Sequence, residues 1–184
     1  MAAMWERVRR PTTSHLYGPS SGIYVTTDSG TAWDLIPSSS GLPNPSTQNV
    51  GRIGLAISQS NPDIVYALFN NGADIISIYK STDFGNNWVD KDTNNVLSSA
   101  GFSWYFGQVR VHPTNPNQVY VLDQQFMMST NSGDNWTVRT VSHVDQHALA
   151  FNPTNPNFAM CGNDGGINIS TNAGLNWGLP AQIP

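Results

Sequence analysis

The densest cluster of metal-capable side chains in this sequence is His143-Val144-Asp145-Gln146-His147. On a strand, residues two apart point to one face and sit about 7 Å from each other. His143, Asp145 and His147 would then share a face, and three N/O ligands there suit a transition metal. The competing reading is a polar lining at the inner edge of a sheet, and on that reading no metal and no other cofactor is assigned. A second set is aromatic: Phe102-Ser103-Trp104-Tyr105-Phe106 packs four rings into five residues. Trp104 and Tyr105 are the candidates for ligand contact, because an aromatic plane receives the apolar face of a sugar ring. Arg52 and Arg110 are candidates for anion contact, against a plainer role of bonding exposed carbonyls. Acid–base chemistry falls to aspartates, since the chain has one glutamate, Glu6. The lone cysteine, Cys161, excludes an intrachain disulfide and reads as a small buried apolar residue.

These residues must be held by strands. Arg52 to Ala67, Phe106 to Val121 and Gln146 to Cys161 align without gaps. Each block opens on alternating apolar residues (Leu55/Ile57, Val109/Val111, Leu149/Phe151), passes through an Asn-Pro turn and ends in a second apolar run. A third strand follows at Ile75–Lys80, Gln125–Met128 and Gly166–Ile169. Then comes a box of the form [S/T]-T-[D/N]-x-G-x-x-W, present four times: Thr26 to Trp33, Ser81 to Trp88, Ser129 to Trp136 and Ser170 to Trp177. Its repeated positions are Asp28, Asp83, Asn131 and Asn172; Gly30, Gly85, Gly133 and Gly174; and Trp33, Trp88, Trp136 and Trp177. The acid or amide can bond backbone N–H groups of its own loop, the glycine permits positive φ, and the tryptophan buries an indole between neighbouring sheets. Exchange of Asp for Asn would harm a cation site and leave a turn intact, so the boxes read as structural.

A fourth strand starting at each Trp completes a four-stranded antiparallel unit, and such units at ~40–50 residues are propeller blades. The fold expected is all-β, a β-propeller with about three and a half blades in 184 residues. The divisions are an N-terminal segment 1–21, a half blade 22–36, a linker loop 37–50, blades 51–94, 105–141 and 145–178, and a tail 179–184. Closure of the ring is expected to come from the rest of a longer propeller, or else from a second copy. A net charge of -4 with 11% charged residues gives no basic field, which argues against nucleic acid as a partner. No stretch approaches the ~20 apolar residues of a membrane span. Arg7, Arg9 and Arg10 precede no apolar run, so no signal peptide is visible.

The boxes and their strand pairs resemble the Asp-box (BNR) repeat of sialidases, sortilin-like receptor propellers and xyloglucan-active glycoside hydrolases. The resemblance covers about 160 residues. It implies that the boxes are hairpin turns on the rim away from the active face, and that the protein is extracellular or at the cell surface. A sialidase site is disfavoured, because that family's arginine triad and Tyr–Glu pair have no counterpart here. In the xyloglucanases an Asp before Gly-Gly at the inner end of a blade is catalytic, and Asp164 in Gly162-Asn163-Asp164-Gly165-Gly166 is the matching position. Such chemistry needs a second carboxylate ~5–10 Å away, for which Asp145 is the candidate; a plain turn aspartate competes. The expected function is therefore a non-catalytic scaffold or binding module for a polysaccharide or protein partner. The alternative is a glycoside hydrolase fragment contributing part of a site.

Overall fold

A computed structural model of the chain describes residues 1–10, 12, 14–94, 96–97 and 101–178. The alternating blocks form strands as their period demands, and no α-helix occurs among the described residues. Sheet one contains β1 (Ala2–Met4), β4 (Gly22–Val25) and β5 (Asp34–Leu35), with a hairpin of β2 (Val8–Arg9) and β3 (Ser14–His15) inserted between β1 and β4. Sheet two is β6 (Ile53–Ile57), β7 (Val65–Asn70), β8 (Ile75–Ser81) and β9 (Val89–Asp90). Sheet three is β10 (Gln108–Val111), β11 (Val119–Leu122), β12 (Phe126–Ser129) and β13 (Thr137–Arg139). Sheet four is β14 (Gln146–Phe151), β15 (Ala159–Asn163) and β16 (Gly166–Ser170). Each sheet is antiparallel in sequence order, so the chain is all-β with the radial units of a propeller.

Two differences from the sequence reading stand out. The N-terminal segment supplies a strand: Ala2 to Met4 pair with Tyr24 to Gly22. Three residues without the Asn-Pro motif leave no periodic signal, which is why this strand was not expected. In the last unit, Gly178 N–H donates to Ile169 O at 2.8 Å, where a fourth strand would begin. The tail 179–184 lies outside the described residues.

The sheets stack through three cores. Ile23, Val65, Ala67 and Phe69 join sheets one and two; Leu68, Ile78, Val109 and Val121 join two and three; Tyr120, Leu122, Leu149 and Cys161 join three and four. The middle strands β7 and β11 are buried along their whole length because a sheet lies on either side. Each fully buried Leu, Ile, Val or Phe contributes about 1.5–3 kcal/mol of transfer free energy. Tyr66 and Tyr120 carry their hydroxyls across these joints, donating to Pro116 O (3.0 Å) and Ala173 O (2.7 Å). Burial pushes the Tyr66 phenol up to about 12 and the Tyr120 phenol higher still.

The four boxes have one geometry. In each, the first hydroxyl (Thr26, Ser81, Ser129, Ser170) accepts from the glycine N–H at 2.8–2.9 Å. The Asp or Asn accepts from the N–H four residues on, at 2.9–3.0 Å. Gly30, Gly85, Gly133 and Gly174 have φ between 83° and 91°, as the turn requires. The residues before them, Ser29, Phe84, Ser132 and Ala173, also have positive φ, from 55° to 65°.

Box tryptophans pack toward the preceding sheet: Trp88 into the joint of sheets one and two, Trp136 against the next, Trp177 against the last. Trp33 breaks the expected burial. It is 46% exposed against 5% for Trp88, since among the described residues no sheet lies on the far side of sheet one.

Candidate functional site

The two rims of the sheets differ in kind. On one, the boxes of sheets two, three and four are tied to the Asn-Pro turns of their own sheets, Phe84 N–H to Asp63 O, Ser132 N–H to Asn117 O and Ala173 N–H to Asn157 O, at 2.7–2.9 Å. On the other, the connections between sheets meet the turns between second and third strands, Ser103 N–H to Ala73 O and Asp145 N–H to Gln124 O, both 2.9 Å. The chemistry-bearing residues gather on this second rim, so the structural boxes and the candidate site occupy opposite sides.

Its centre is the connection from sheet two to sheet three. Ser103 is fully buried; its hydroxyl donates to Asp123 Oδ2 at 2.6 Å and its carbonyl accepts from Asn70 Nδ2 at 3.3 Å. Phe106 and Gly107 N–H groups close a turn on Phe102 and Ser103 carbonyls at 3.1 and 2.9 Å. Clamped from below, the loop turns Phe102 and Tyr105 outward, 49% and 55% exposed. Phe102, Trp104, Tyr105, Phe106, Gln124 and Asp145 line a cleft of about 370 Å³. Trp104 and Tyr105, both proposed from sequence, thus fall in one site with Asp145.

Arg52, considered from sequence for anion contact, lies beneath this loop. Its Nη1 donates to the Tyr105 and Trp104 carbonyls, so it holds the aromatic loop from the neighbouring sheet. Arg110 donates to its neighbour's Val109 O (2.9 Å) and to Gln108 Oε1 (2.6 Å). Burial depresses both guanidinium pKa values, offset at Arg52 by the charge of Asp123 and deepened at Arg110 by Arg52 itself. The donors of both side chains are thus engaged by oxygens of the chain itself.

His143, Asp145 and His147 do not share a strand face. β14 begins only at Gln146, and Asp145 has φ 65°, which breaks the alternation. A bulge then falls between Gln146 and Ala148: Gln146 pairs with Asn163 and turns inward, fully buried, while His147 is thrown outward. Bulges re-aim side chains in this way. His143 instead packs on Gly165, where a Cβ would come within 2.7 Å of its own Cβ. Among the described residues no group of three or more His, Cys, Asp and Glu side chains is placed to hold a metal.

The outward His147 meets Asp164, Nε2 to Oδ1 at 2.6 Å. Its ring lies 5.3 Å from that of Phe106 and 6.2 Å from that of Tyr105. Asp164 therefore joins the aromatic cluster through His147, while Asp145 lines the cleft directly. The glycines after Asp164 have structural reasons: Gly165 makes room for His143, and Gly166 has φ 117°.

Three contributors were not singled out from sequence. Asp123 sits two residues past the aligned block, opposite Phe69 and Asn163, and its charge where Phe69 is apolar was the available signal. Trp5 and Arg7 come from the N-terminal segment, and the Arg7 guanidinium lies 5.0 Å from the Trp5 ring and 5.1 Å from the Trp104 ring. Nothing in the sequence ties residues so far apart.

No family of sequences matches this chain, and no curated protein does. Solved structures do. An ancestral GH74 enzyme superposes with a TM-score of 0.66 at 17% identity over 98% of this chain. The GH74 enzyme of Niastella koreensis gives 0.68 at 20% over 89%, and the GH74 xyloglucanase of Xanthomonas campestris 0.67 at 13% over 100%. YCF48 bound to D1 peptide gives 0.51 at 14% over 95%. At these identities the likeness shows the β-propeller fold. The chain spans 24–32% of the length of the GH74 structures and 69% of that YCF48 chain.

Proposed function

We propose that this chain is a β-propeller binding module whose ligand is a glycan, seated on Trp104 and Tyr105, and that it acts as part of a larger extracellular protein. One observation carries the reading: a clamped loop presents exposed aromatic rings over a cleft on the rim opposite the structural turns. Preorganisation of this kind lowers the ordering cost of binding. The repeats resemble Asp-box turns, and the GH74 likeness supports a sugar ligand. Titration calorimetry with xyloglucan oligosaccharides tests it. Binding should weaken about tenfold or more in Tyr105→Ala, as for a central aromatic anchor. Affinity unchanged in both Tyr105→Ala and Trp104→Ala would remove the glycan reading, and binding of a peptide in its place would make the partner a protein.

The second reading, part of a glycoside hydrolase site, rests on Asp164, whose place before Gly165 and Gly166 resembles that of the xyloglucanase aspartate. Such chemistry needs one protonated and one ionised carboxyl group on either side of the scissile bond; Asp145 in the cleft and Asp164 beside His147 supply two carboxyl groups on one rim. Turnover of xyloglucan that disappears in Asp164→Asn would establish this reading. Binding without turnover in either form supports the non-catalytic module.

A further inference from the structure

We infer that Arg7 is an anion-recognising residue at the edge of the aromatic cleft, and that the ligand class is an acidic, uronate-bearing glycan. The inference rests on the glycan reading above and deepens it.

Arg7 lies in the insertion between β1 and β2, far from Trp104 in sequence, yet its guanidinium lies over both the Trp5 and the Trp104 ring. Both rings are fixed: Trp5 Nε1 donates to Leu16 O at 2.8 Å, and Trp104 belongs to the loop clamped through Ser103 and Arg52. Aromatic contact orients a guanidinium while leaving its N–H edge free for a bidentate carboxylate. That edge meets no carboxylate within ion-pair distance among the described residues. Glu6, its sequence neighbour, is engaged by Ser20 N–H (2.9 Å) and hydroxyl (2.7 Å) and lies 3.5 Å from His15.

Charge distribution points the same way. The chain carries a net charge of -4, yet Arg7, Arg9 and Arg10 place half of its six arginines within four residues of this insertion. Of these Arg7 alone lies over a ring of the platform, and a cation fixed there suits a sugar ring that bears its own carboxylate. The ring would stack on Tyr105 and Trp104, its carboxylate would meet Arg7, and its hydroxyls would donate to Asp145 on the cleft wall.

The experiment titrates trigalacturonate and its fully methyl-esterified, uncharged twin against wild type, Arg7→Ala, Arg7→Lys and Arg9→Ala. Thermal melts confirm that each variant folds, as expected for exposed side chains. The acid should bind about tenfold or more tighter than the ester, as for a charge-assisted pair. Arg7→Ala should abolish that preference, Arg7→Lys should keep part of it, and Arg9→Ala should stay within about twofold of wild type. Equal affinity for acid and ester, or an Arg7→Ala variant that behaves as wild type, overturns the inference. So does an equal loss in Arg9→Ala, which would mean diffuse attraction, or Arg7-dependent binding of triglutamate with none of trigalacturonate. If neutral xyloglucan oligosaccharides bind through Tyr105 while trigalacturonate does not, this inference falls and the glycan reading stands. If no saccharide binds, both fall.

Discussion

Four turns with one backbone carry two chemistries at their third position. Asp83 is held at a pKa of about 2, first by the Asn87 side-chain amide, then by the Asn87 N–H and the Ser81 hydroxyl. Asp28 is lowered as well, chiefly by the Ala32 N–H. Asn131 and Asn172 accept the same bond without titrating. A carboxylate whose folded pKa lies below its unfolded value, about 3.9, stabilises the fold above that value. The contribution disappears as pH falls through about 2 for Asp83. Melts of wild type and Asp83→Asn should therefore converge on acidification from pH 5 to 2, because the amide has no proton to gain. Parallel curves over that range would show that the box carboxylate is not the acid-sensitive group. Burial likewise pushes the Cys161 thiol up to about 12. Thiol reagents at neutral pH are expected to label the folded protein far more slowly than the unfolded one.

Sheets two, three and four are each pinned to the sheet before by the tryptophan that its box throws backward. Trp88→Ala should cost about 3–5 kcal/mol in denaturant melts, whereas Trp33→Ala should fall within about 0.5 kcal/mol of wild type. Equal costs would refute the directional packing. The loop bearing the aromatic platform is an element of its own, and Arg52→Ala should speed amide exchange at Tyr105, Phe106 and Gly107 while leaving β10 protected. Unchanged exchange there would remove Arg52 as its support. Strands and boxes were legible in the sequence because they repeat: Leu55/Ile57 and Val109/Val111 alternate, and four glycines sit at one offset. Trp104 and Tyr105, neighbours in sequence, and Asp145, in a polar run, were legible as candidates that the structure brings to one cleft. The outward turn of His147 was hidden, since a bulge shifts register without any change of composition. Arg7 over Trp104 was hidden for a plainer reason, that long-range contacts leave no periodic trace.

The assembly of sheets ends in two unlike faces. On sheet one, Met4 and Leu35 stand exposed with Trp33; on sheet four, Met160 does, on the side where the register also puts Ala148, Ala150, Ile167 and Ile169. Exposed apolar faces of this kind associate, so the mass of the isolated chain from light scattering should rise with concentration. The double variant Leu35→Glu, Met160→Lys should hold it constant. A constant mass in wild type would show that these faces need no cover. The tyrosine hydroxyls spanning the joints carry one more implication. Tyr66 reaches sheet three and Tyr120 reaches sheet four, so the sheets are coupled in series, each to its neighbours. A linear array of that kind melts like a zipper, opening from its tips, and the β7 and β11 amides should outlast those of β1 and β16 in a slow thermal ramp.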